Sequence, residues 1–270
     1  MNKFLYIILT CTLLSSCGEY QKALKSTDTA TKYTVGEKLY NEGKYAKANK
    51  LFEQILPSYR GKPQAEKLSY LNSKSYYEEE EWYSAGYHFD RFVDTYPMSE
   101  KVEEAAFLSA KSGYMLSPVF SKEQHETREA IDKFQSFINL YPESEFLPEA
   151  NKLVKELDFK LEKKAFSIAK QFNTIAGYTR DFQAPIKAMD NFIFDFPGTV
   201  YREEALFIRF DSAYQLAVNS VYSKKEQRLQ DAKNYYNSFK NSYSNSEYLE
   251  KAGKMNEEID KELKNYSTKS

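Results

Sequence analysis

Aromatic residues recur along this chain in a fixed arrangement with a proline and two small residues. The clearest copy begins at Phe92, places Tyr96 four positions later and Pro97 next, and continues with Ser99 and Ala105. Four other segments follow the same order, although the last has Ser in place of Pro and the first lacks the Ser: Phe137, Tyr141, Pro142, Ser144 and Ala150; Phe192, Phe196, Pro197, Thr199 and Ala205; Phe239, Tyr243, Ser244, Ser246 and Ala252; and Phe52, Leu56, Pro57 and Ala65. The copies start 40, 45, 55 and 47 residues apart, which predicts a chain of stacked structural repeats.

Each copy of this pattern predicts the joint between two helices. Aromatic side chains four positions apart lie on one face of a last helical turn. Pro ends that helix because it disfavours the helical conformation of the residue before it. Ser or Thr then suits the N-terminal cap of the next helix, and the Ala allows that helix to approach its neighbour closely. Five joints predict an all-α fold, an α-solenoid of about five helical hairpins that each contact mainly their neighbours.

The first hairpin carries a more specific pattern of small and aromatic residues. Gly43 stands at a turn where a left-handed residue is expected after a helix, and Gly36 precedes it by seven positions. Tyr45, Ala48 and Phe52 then follow at helical spacing. Together these residues resemble the tetratricopeptide repeat. The resemblance implies that each hairpin consists of a first helix, A, and a second helix, B.

Several segments depart from a regular repeat. Gly86 in the second hairpin stands where the repeat usually has Ala. A polar link from Leu116 to Glu129 is longer than a connection between helices requires, which favours a functional loop. The apolar pattern then runs without a breaker from Leu147 to Phe172, which predicts one helix of about 28 residues. A last helix from Leu249 to Leu263 is expected to cap the stack with a polar outer face.

The chain begins with a short positive segment and an apolar run from Phe4 to Leu14. This run is too short to span a bilayer and is typical of a signal peptide. Its end, Leu14-Ser-Ser-Cys17, resembles the lipobox of bacterial lipoproteins, which implies cleavage after residue 16 and a lipid anchor on Cys17. Gly18, rather than Asp, then implies sorting to the outer membrane, facing the periplasm. The alternative is an ordinary signal peptide with Cys at a chance position.

Composition and motifs argue against several functional classes. Without its signal peptide the chain keeps 37 basic and 39 acidic side chains, a net charge of −2, whereas nucleic-acid binding calls for a strongly basic face. Cys17 is then its single cysteine, so neither a disulfide nor a thiolate metal site is expected. His88 and His125 are far apart, and the run from Glu78 to Glu81 is interpreted as a solvated turn. Since nucleotide-binding and hydrolase motifs are also absent, we predict no enzymatic activity, cofactor or metal.

Tyrosines and asparagines on the predicted A helices are the candidate ligand contacts. In tetratricopeptide solenoids the A helices line the concave face, and Tyr offers a large contact area with one polar tip. The predicted peptide groove therefore consists of Tyr40, Asn41, Asn72, Tyr76 and Tyr114. The alternative is that some of these side chains only pack between helices.

A lipoprotein signal followed by five such repeats resembles the BamD family, lipoproteins of the bacterial outer-membrane β-barrel assembly machine. The segment from Cys17 to Ser26, the joint from Tyr141 to Ser144 and the long fourth-hairpin helix carry this resemblance. It implies that the N-terminal repeats bind unfolded barrel precursors. It also implies that the C-terminal repeats dock on the barrel-inserting subunit, beside other lipoprotein subunits, with Arg180 and Arg202 as candidate docking residues.

The predicted organisation divides the chain into five parts: a signal peptide at 1–16, a lipidated tether at 17–31, repeats one to three at 32–145, repeats four and five at 146–264, and a disordered tail at 265–270. The alternative function is a tetratricopeptide scaffold for cell division or peptidoglycan synthesis, although such proteins usually carry a coiled coil and no lipobox. Carbohydrate-capturing lipoproteins with helical repeats are longer and contain large inserts. An enzyme is the least favoured alternative.

Overall fold

The computed structural model describes residues 18–267, and the regular structure in this range is helical, with no strand. A short helical segment covers residues 18–25. Eleven further helices follow within the described range: α1 (Thr29–Asn41), α2 (Tyr45–Tyr59), α3 (Ala65–Glu78), α4 (Trp82–Thr95), α5 (Val102–Leu116), α6 (His125–Leu140), α7 (Leu147–Thr179), α8 (Gln183–Asp195), α9 (Arg202–Val218), α10 (Tyr222–Ser242) and α11 (Leu249–Ser267). The predicted all-α class is confirmed. The predicted signal peptide and Cys17 lie outside the described residues.

The joints have the geometry that the sequence pattern predicts. The rings of Phe92 and Tyr96 lie 5.3 Å apart, between centroids, and Tyr96 leaves the helical region with φ −126° and ψ 59°. Ala105 is completely buried on the next helix. Ser99 closes the turn that precedes α5 and is not the N-terminal cap of that helix as predicted. Its hydroxyl accepts a hydrogen bond from the Lys101 N–H at 3.0 Å. Equivalent turns are closed by three other hydroxyls: Ser144, Thr199 and Ser246.

The first copy of the pattern does not end a helix, so this prediction is wrong for Pro57. Helix α2 continues through Pro57 to Tyr59. Tyr59 is buried, and its ring stacks on Tyr33 with centroids 5.6 Å apart. Burial of this aromatic ring stabilises the additional helical turn. Pro57 lacks an N–H, and the Glu53 carbonyl therefore loses its usual partner within the helix.

Glycine positions of the first hairpin confirm the tetratricopeptide-like geometry. A Cβ on Gly36 would lie only 2.6 Å from the ring of Phe52, so a glycine is required where α1 crosses α2. Gly43 has a φ of 72° and ends the first helix as predicted. The corresponding turn of the second hairpin places Glu80 at φ 59°, a conformation that costs about 1 kcal/mol for a residue with a Cβ.

The segment predicted as a tether packs against the first hairpin instead. Tyr20 and Ala23 belong to the core that also contains Leu39 and Phe52. The buried Lys32 donates its ammonium to the Leu24 carbonyl at 3.2 Å, which fixes the end of the segment. Helix α1 begins after Asp28, whose carboxylate accepts from two backbone N–H groups. The burial of Tyr20 and Ala23 thus stabilises a defined conformation of this short segment.

The predicted functional loop is shorter than residues 116–129, because α6 already begins at His125. The connector is held from inside by Gln124, which is completely buried. Its amide donates to the carbonyls of Val119 (2.9 Å) and Lys122 (3.0 Å). Its carbonyl accepts from the Thr127 hydroxyl at 2.7 Å. The connector is therefore a packed turn with its own internal hydrogen bonds.

Helix α7 confirms the predicted unbroken helix and extends it to 33 residues. Packing divides the chain within it, into unit 1 up to Asp158 and unit 2 from Phe159. Within unit 1, consecutive helices from α1 to α6 pack on one another, and Leu157 of α7 joins their core. Within unit 2, α8 to α11 pack in the same consecutive way. The last helix continues to Ser267, so that residues 265–267 of the predicted tail are helical.

Candidate functional site

Clefts between consecutive B helices occur in both units. The A helices are α1, α3, α5, α7 and α9, and the B helices are α2, α4, α6, α8 and α10. Within the described residues of unit 1, a cleft lies between α2 and α4 and two lie between α4 and α6, and within those of unit 2 a cleft lies between α8 and α10. Small residues of the intervening A helix form their floors, for example Ala65, Gly113 and Ala213. These clefts thus lie on the B side of the hairpins, whereas the sequence predicted a groove along the A helices.

One cleft combines two arginines with an apolar wall, and we call it the basic cleft. It has a volume of about 320 Å³. Its charged and aromatic lining consists of Glu53, Arg60, His88, Arg91 and Tyr96, beside Leu56 and Pro57. Arg60 follows directly after α2, and Arg91 lies on α4 one position before the buried Phe92. The packing of the joint therefore fixes the backbone that carries both guanidinium groups.

Neither arginine is neutralised by an ion pair within the described chain. Arg60 and Arg91 are both exposed, and neither forms an ion pair with a carboxylate of residues 18–267. Arg91 instead lies over the ring of Tyr87, 5.8 Å from its centroid. Guanidinium groups that are free of carboxylates can take up an anion from outside the protein.

A stacked pair of rings forms the edge of the basic cleft. Tyr76 and His88 lie parallel, with centroids 4.8 Å apart and an angle of 10°. The Tyr76 hydroxyl donates to the Glu53 carboxylate, while burial and this carboxylate raise the pKa of Tyr76. Burial, and then the charge of Arg91, lower the pKa of His88. His88 is therefore neutral at pH 7, and the positive charge of the cleft comes from its arginines.

The five predicted groove residues do not gather at one cleft. Tyr76 reaches the basic cleft, but Tyr40 packs edge-on against Tyr45 (5.3 Å between centroids) at the end of the first hairpin. Asn41 is exposed at the end of α1. Asn72 is only 1% exposed and donates to Asn49, so its side chain is a packing contact between α3 and α2. Tyr114 donates to Glu156 at 2.6 Å, also between helices.

Arg60, Arg91 and His88 were not among the residues predicted from the sequence to contact a ligand. A signal for them exists in the helical register. His88 and Arg91 are three positions apart on α4, and Glu53, Pro57 and Arg60 recur at four and three positions. Such spacings place side chains on one helix face. The sequence alone does not show that these faces of α2 and α4 line one cleft on either side of α3.

The two candidate docking arginines of unit 2 lie at opposite ends of α8. Arg180 follows the end of α7 with a φ of 62° and is exposed. Arg202 is the first residue of α9 and donates to the Pro197 carbonyl at 3.4 Å. Helix α8 has 13 residues, a length of about 20 Å. The structure therefore does not bring these arginines together as one charged patch.

Helix α7 presents an apolar stripe to solvent within unit 2. Ile168, Phe172 and Ile175 are 46%, 42% and 51% exposed. Their spacing of four and three positions places them on one face of the helix. Phe166 and Ala169 of the same helix are instead buried against α8 and α9. An uncovered apolar stripe on a long helix is typical of a protein interaction surface.

The chain matches a known protein family. The sequence model of the family YfiO, described as outer membrane lipoprotein, matches residues 25–180. The matched range contains α1 to α7, including the basic cleft and the apolar stripe. A comparison with curated proteins found no match. Within residues 18–267, no helix is long and apolar enough to cross a membrane, and no three His, Cys, Asp or Glu side chains are grouped to hold a metal ion.

Proposed function

Because the chain belongs to the YfiO family of outer membrane lipoproteins, we propose that it is a scaffold of the β-barrel assembly machinery. In this proposal Cys17 carries the lipid anchor, and the helical repeats face the periplasm. Unit 1 binds unfolded barrel precursors, and unit 2 docks on the barrel-inserting subunit. The protein performs no chemistry itself, and its role is to hold one partner near another.

The family match is the observation that carries this proposal. It covers 156 of the 270 residues and ends one residue after α7. The match therefore includes the unbroken 33-residue helix, which a regular tetratricopeptide array would not contain. Within the proposal this helix serves both units, since its first turns belong to the core of unit 1 and its exposed stripe to unit 2.

The surfaces of the two units support a division of labour. An extended precursor segment needs a cleft with separate polar and apolar contacts, and the basic cleft offers both beside Tyr76. Tyr40 is proposed as an additional precursor contact at the first hairpin. A folded partner domain is better served by the apolar stripe of α7. Arg180 and Arg202 would then add attraction at the edge of that interface.

Co-purification from solubilised outer membranes tests this proposal. The full-length protein, expressed with its signal peptide and an affinity tag at the C-terminus, is isolated together with its partners. We expect a β-barrel protein with periplasmic domains in the isolated complex. Recovery of cell-division or peptidoglycan-synthesis proteins without such a β-barrel would contradict the proposal and favour the alternative scaffold.

The lipid anchor is tested separately with Cys17→Ala. We expect this variant to lose labelling with radioactive palmitate and to leave the membrane fraction, because the chain beyond Cys17 contains no other cysteine. Cys11→Ala is the matched control, since Cys11 lies within the predicted signal peptide and should not affect labelling. Palmitate labelling that survives in Cys17→Ala would overturn the lipoprotein assignment of this residue.

A further inference from the structure

The helical segment at residues 18–25 is packed firmly on the first hairpin. Tyr20 and Ala23 are 6% and 1% exposed and belong to the core of that hairpin. The end of the segment is closed by the Ser26 N–H, which donates to the Lys22 carbonyl at 3.0 Å. The segment therefore has a fixed position on the hairpin that follows it.

This packing limits the distance between the first hairpin and a lipid on Cys17. A free tether over residues 17–31 could span about 50 Å, since an extended chain covers at most about 3.6 Å per residue. The buried Tyr20, however, is only three positions from Cys17, and three residues span at most about 11 Å. A membrane that holds this lipid is therefore close to the surface of the first hairpin.

The side of the segment that faces away from the hairpin is basic. Lys22 and Lys25 are exposed and lie on the same helix face as Gly18, at spacings of four and three positions. Glu19 is the only carboxylate within residues 18–25, and it pairs with a lysine of α1 at 2.6 Å. Neither Lys22 nor Lys25 forms an ion pair with another residue of the described chain. Their charges are thus available to an anionic surface outside the protein.

Helix α2 adds two further lysines beside the segment. The ammonium of Lys47 lies 5.6 Å from the centroid of the Tyr20 ring. Seven positions later, Gln54 accepts from Lys32, which also holds the end of the segment. Lys50 is exposed and lies between Lys47 and Gln54 on the same face of α2, because residues three and four positions apart share a helix face. Both lysines of α2 therefore border the segment.

The four lysines form one surface, which we call the lysine face: Lys22, Lys25, Lys47 and Lys50. Each lysine close to an anionic membrane strengthens binding by about fivefold. This attraction extends only about 8 Å at physiological salt concentration. A flexible tether would allow the lysine face to move beyond this distance, whereas the packed segment keeps it near the membrane.

We propose that the lysine face binds the anionic phospholipid headgroups of the membrane that carries the lipid anchor. Lys22 and Lys25 contact phosphate groups next to the anchor, and Lys47 and Lys50 contact the headgroups beside them. Together with the lipid, these lysines hold the first hairpin against the membrane surface. This inference rests on the proposed lipid anchor at Cys17 and adds a second, non-covalent membrane contact.

Vesicle sedimentation tests the lysine face in the absence of the lipid. The chain without its signal peptide and with Cys17→Ala is mixed with vesicles of phosphatidylcholine, or of equal parts phosphatidylcholine and phosphatidylglycerol. At low salt concentration we expect at least about tenfold tighter binding to the anionic vesicles. The difference should disappear at about 1 M salt, where charges are screened beyond about 3 Å. Equal binding to both kinds of vesicle would overturn the proposal.

Variants of the protein locate the contact. Lys22→Gln with Lys25→Gln should weaken binding to the anionic vesicles by about tenfold or more. Lys152→Gln with Lys155→Gln is the matched control, because these lysines of α7 are also exposed and three positions apart, and it should weaken binding by about twofold or less. Circular dichroism verifies that both variants are folded. Equal losses in the two variants would show that the total charge, and not the lysine face, determines binding.

Peptidoglycan is a second anionic surface, and sedimentation with purified peptidoglycan provides the comparison. We expect the lysine double variant to bind peptidoglycan as the unsubstituted chain does. If the double substitution instead weakens binding to peptidoglycan and leaves binding to anionic vesicles unchanged, the lysine face contacts the cell wall and the proposal is wrong.

The failure of this inference can be distinguished from the failure of the lipid anchor. Palmitate labelling of Cys17 does not require the lysine face, so the lysine double variant should be labelled like the unsubstituted protein. If labelling is normal and the vesicle measurement fails, the anchor stands and the lysine face is wrong. If Cys17 of the unsubstituted protein is not labelled, the proposed anchor fails, and this inference fails with it.

Discussion

The joints at residues 92–105 of unit 1 and 192–205 of unit 2 lie one hundred positions apart and make the same contacts. Their paired rings are separated by 5.3 Å in unit 1 and by 5.4 Å in unit 2. In both, the joint hydroxyl donates to a glutamate of the preceding A helix: Ser99 to Glu66 at 2.5 Å, and Thr199 to Glu162 at 2.6 Å. The same two side-chain contacts, a pair of aromatic rings and a hydroxyl–carboxylate hydrogen bond, therefore stabilise the joint in both units.

A difference appears where the equivalent position faces a cleft. Ser109 of α5 donates to Asp90, and that carboxylate also pairs with Lys133 at 2.6 Å. In unit 2 the equivalent residue is Arg209, which pairs with Asp190 at 2.7 Å and lies 4.5 Å from the ring centroid of Tyr235. The cation beside this carboxylate therefore comes from different helices in the two units. In unit 1 it is Lys133 of α6, which also donates to the Ser109 hydroxyl at 3.0 Å, and in unit 2 it is Arg209 of α9.

The outer surfaces of the two units differ still more. Unit 1 has the basic cleft, whereas unit 2 has the apolar stripe of Ile168, Phe172 and Ile175. These features do not follow from the repeat pattern, because they involve positions that the pattern leaves free. The comparison indicates that repeated residues maintain the hairpins, while the positions between them provide separate binding surfaces.

The largest expected effect concerns the shared joint. Phe92→Ala and Phe192→Ala each remove a ring that is at most 3% exposed and should destabilise the protein by about 3–5 kcal/mol. Because repeats contact mainly their neighbours, we expect loss of hydrogen-exchange protection mostly in unit 1 for the first variant and mostly in unit 2 for the second. Uniform loss along the whole chain in both variants would show that the units do not behave separately.

The next effect tests the difference between the outer surfaces. Phe172→Glu introduces a charge into the apolar stripe of unit 2 and should weaken partner binding by about 2 kcal/mol or more, as expected for a central apolar contact. Co-purification of the assembly partners measures this loss, and peptide binding by unit 1 should remain unchanged. Thr174→Glu places the same charge on an exposed position outside the stripe. An equal loss of co-purified partners in the two variants would show that the stripe is not part of the docking surface.

The joints could be predicted from the sequence because their geometry follows from local steric effects. An aromatic pair at four positions and a following Pro define the end of a helix without reference to the rest of the chain. Even the copy at Tyr243, which has Ser244 in place of Pro, leaves the helical region with φ −138° and ψ 71°. Pro57 does not end its helix, because the burial of Tyr59, a tertiary contact, stabilises the longer helix.

The candidate site could be predicted less well because it depends on contacts between hairpins. Tyr76 contacts two residues that line the basic cleft, His88 and Glu53, but Asn72, one turn earlier on α3, is buried against Asn49. Its orientation depends on the crossing of α3 and α2, which the spacing of residues does not determine. Arg60 and Arg91 come from different hairpins, and their shared cleft becomes apparent only when α2 and α4 are placed on either side of α3.

A smaller effect compares two glycines of unit 1 that have opposite surroundings. Gly36→Ala would place a Cβ against the ring of Phe52 and should destabilise the protein by about 1–3 kcal/mol through overpacking. Gly86→Ala would place a Cβ at 3.5 Å from Ser112, an ordinary contact, and should stabilise α4 by about 0.5–1 kcal/mol. Chemical denaturation measures both changes. Equal signs for the two variants would contradict the close approach of α1 and α2.

The smallest effect uses the fact that both histidines, His88 and His125, lie in unit 1. Burial against Tyr76 and the charge of Arg91 lower the pKa of His88 in the folded protein, against the opposing effect of Glu53. The unfolded chain binds a proton near the ordinary value of about 6.5. As the pH falls through this value, the unfolded chain therefore binds more protons than the folded chain. The free energy of unfolding decreases as a result.

Hydrogen exchange at pH values between 7.5 and 5.5, corrected for the intrinsic exchange rates, separates this effect from others. We expect unit 1 to lose protection as the pH falls, while unit 2, which has no histidine, changes less. His88→Phe keeps an aromatic ring against Tyr76 without a titrating group, and should abolish most of the difference between the units. His125→Phe is the matched control, because His125 is exposed at the start of α6 and its replacement should leave the difference intact. A pH response that persists in His88→Phe would show that another group controls the stability of unit 1.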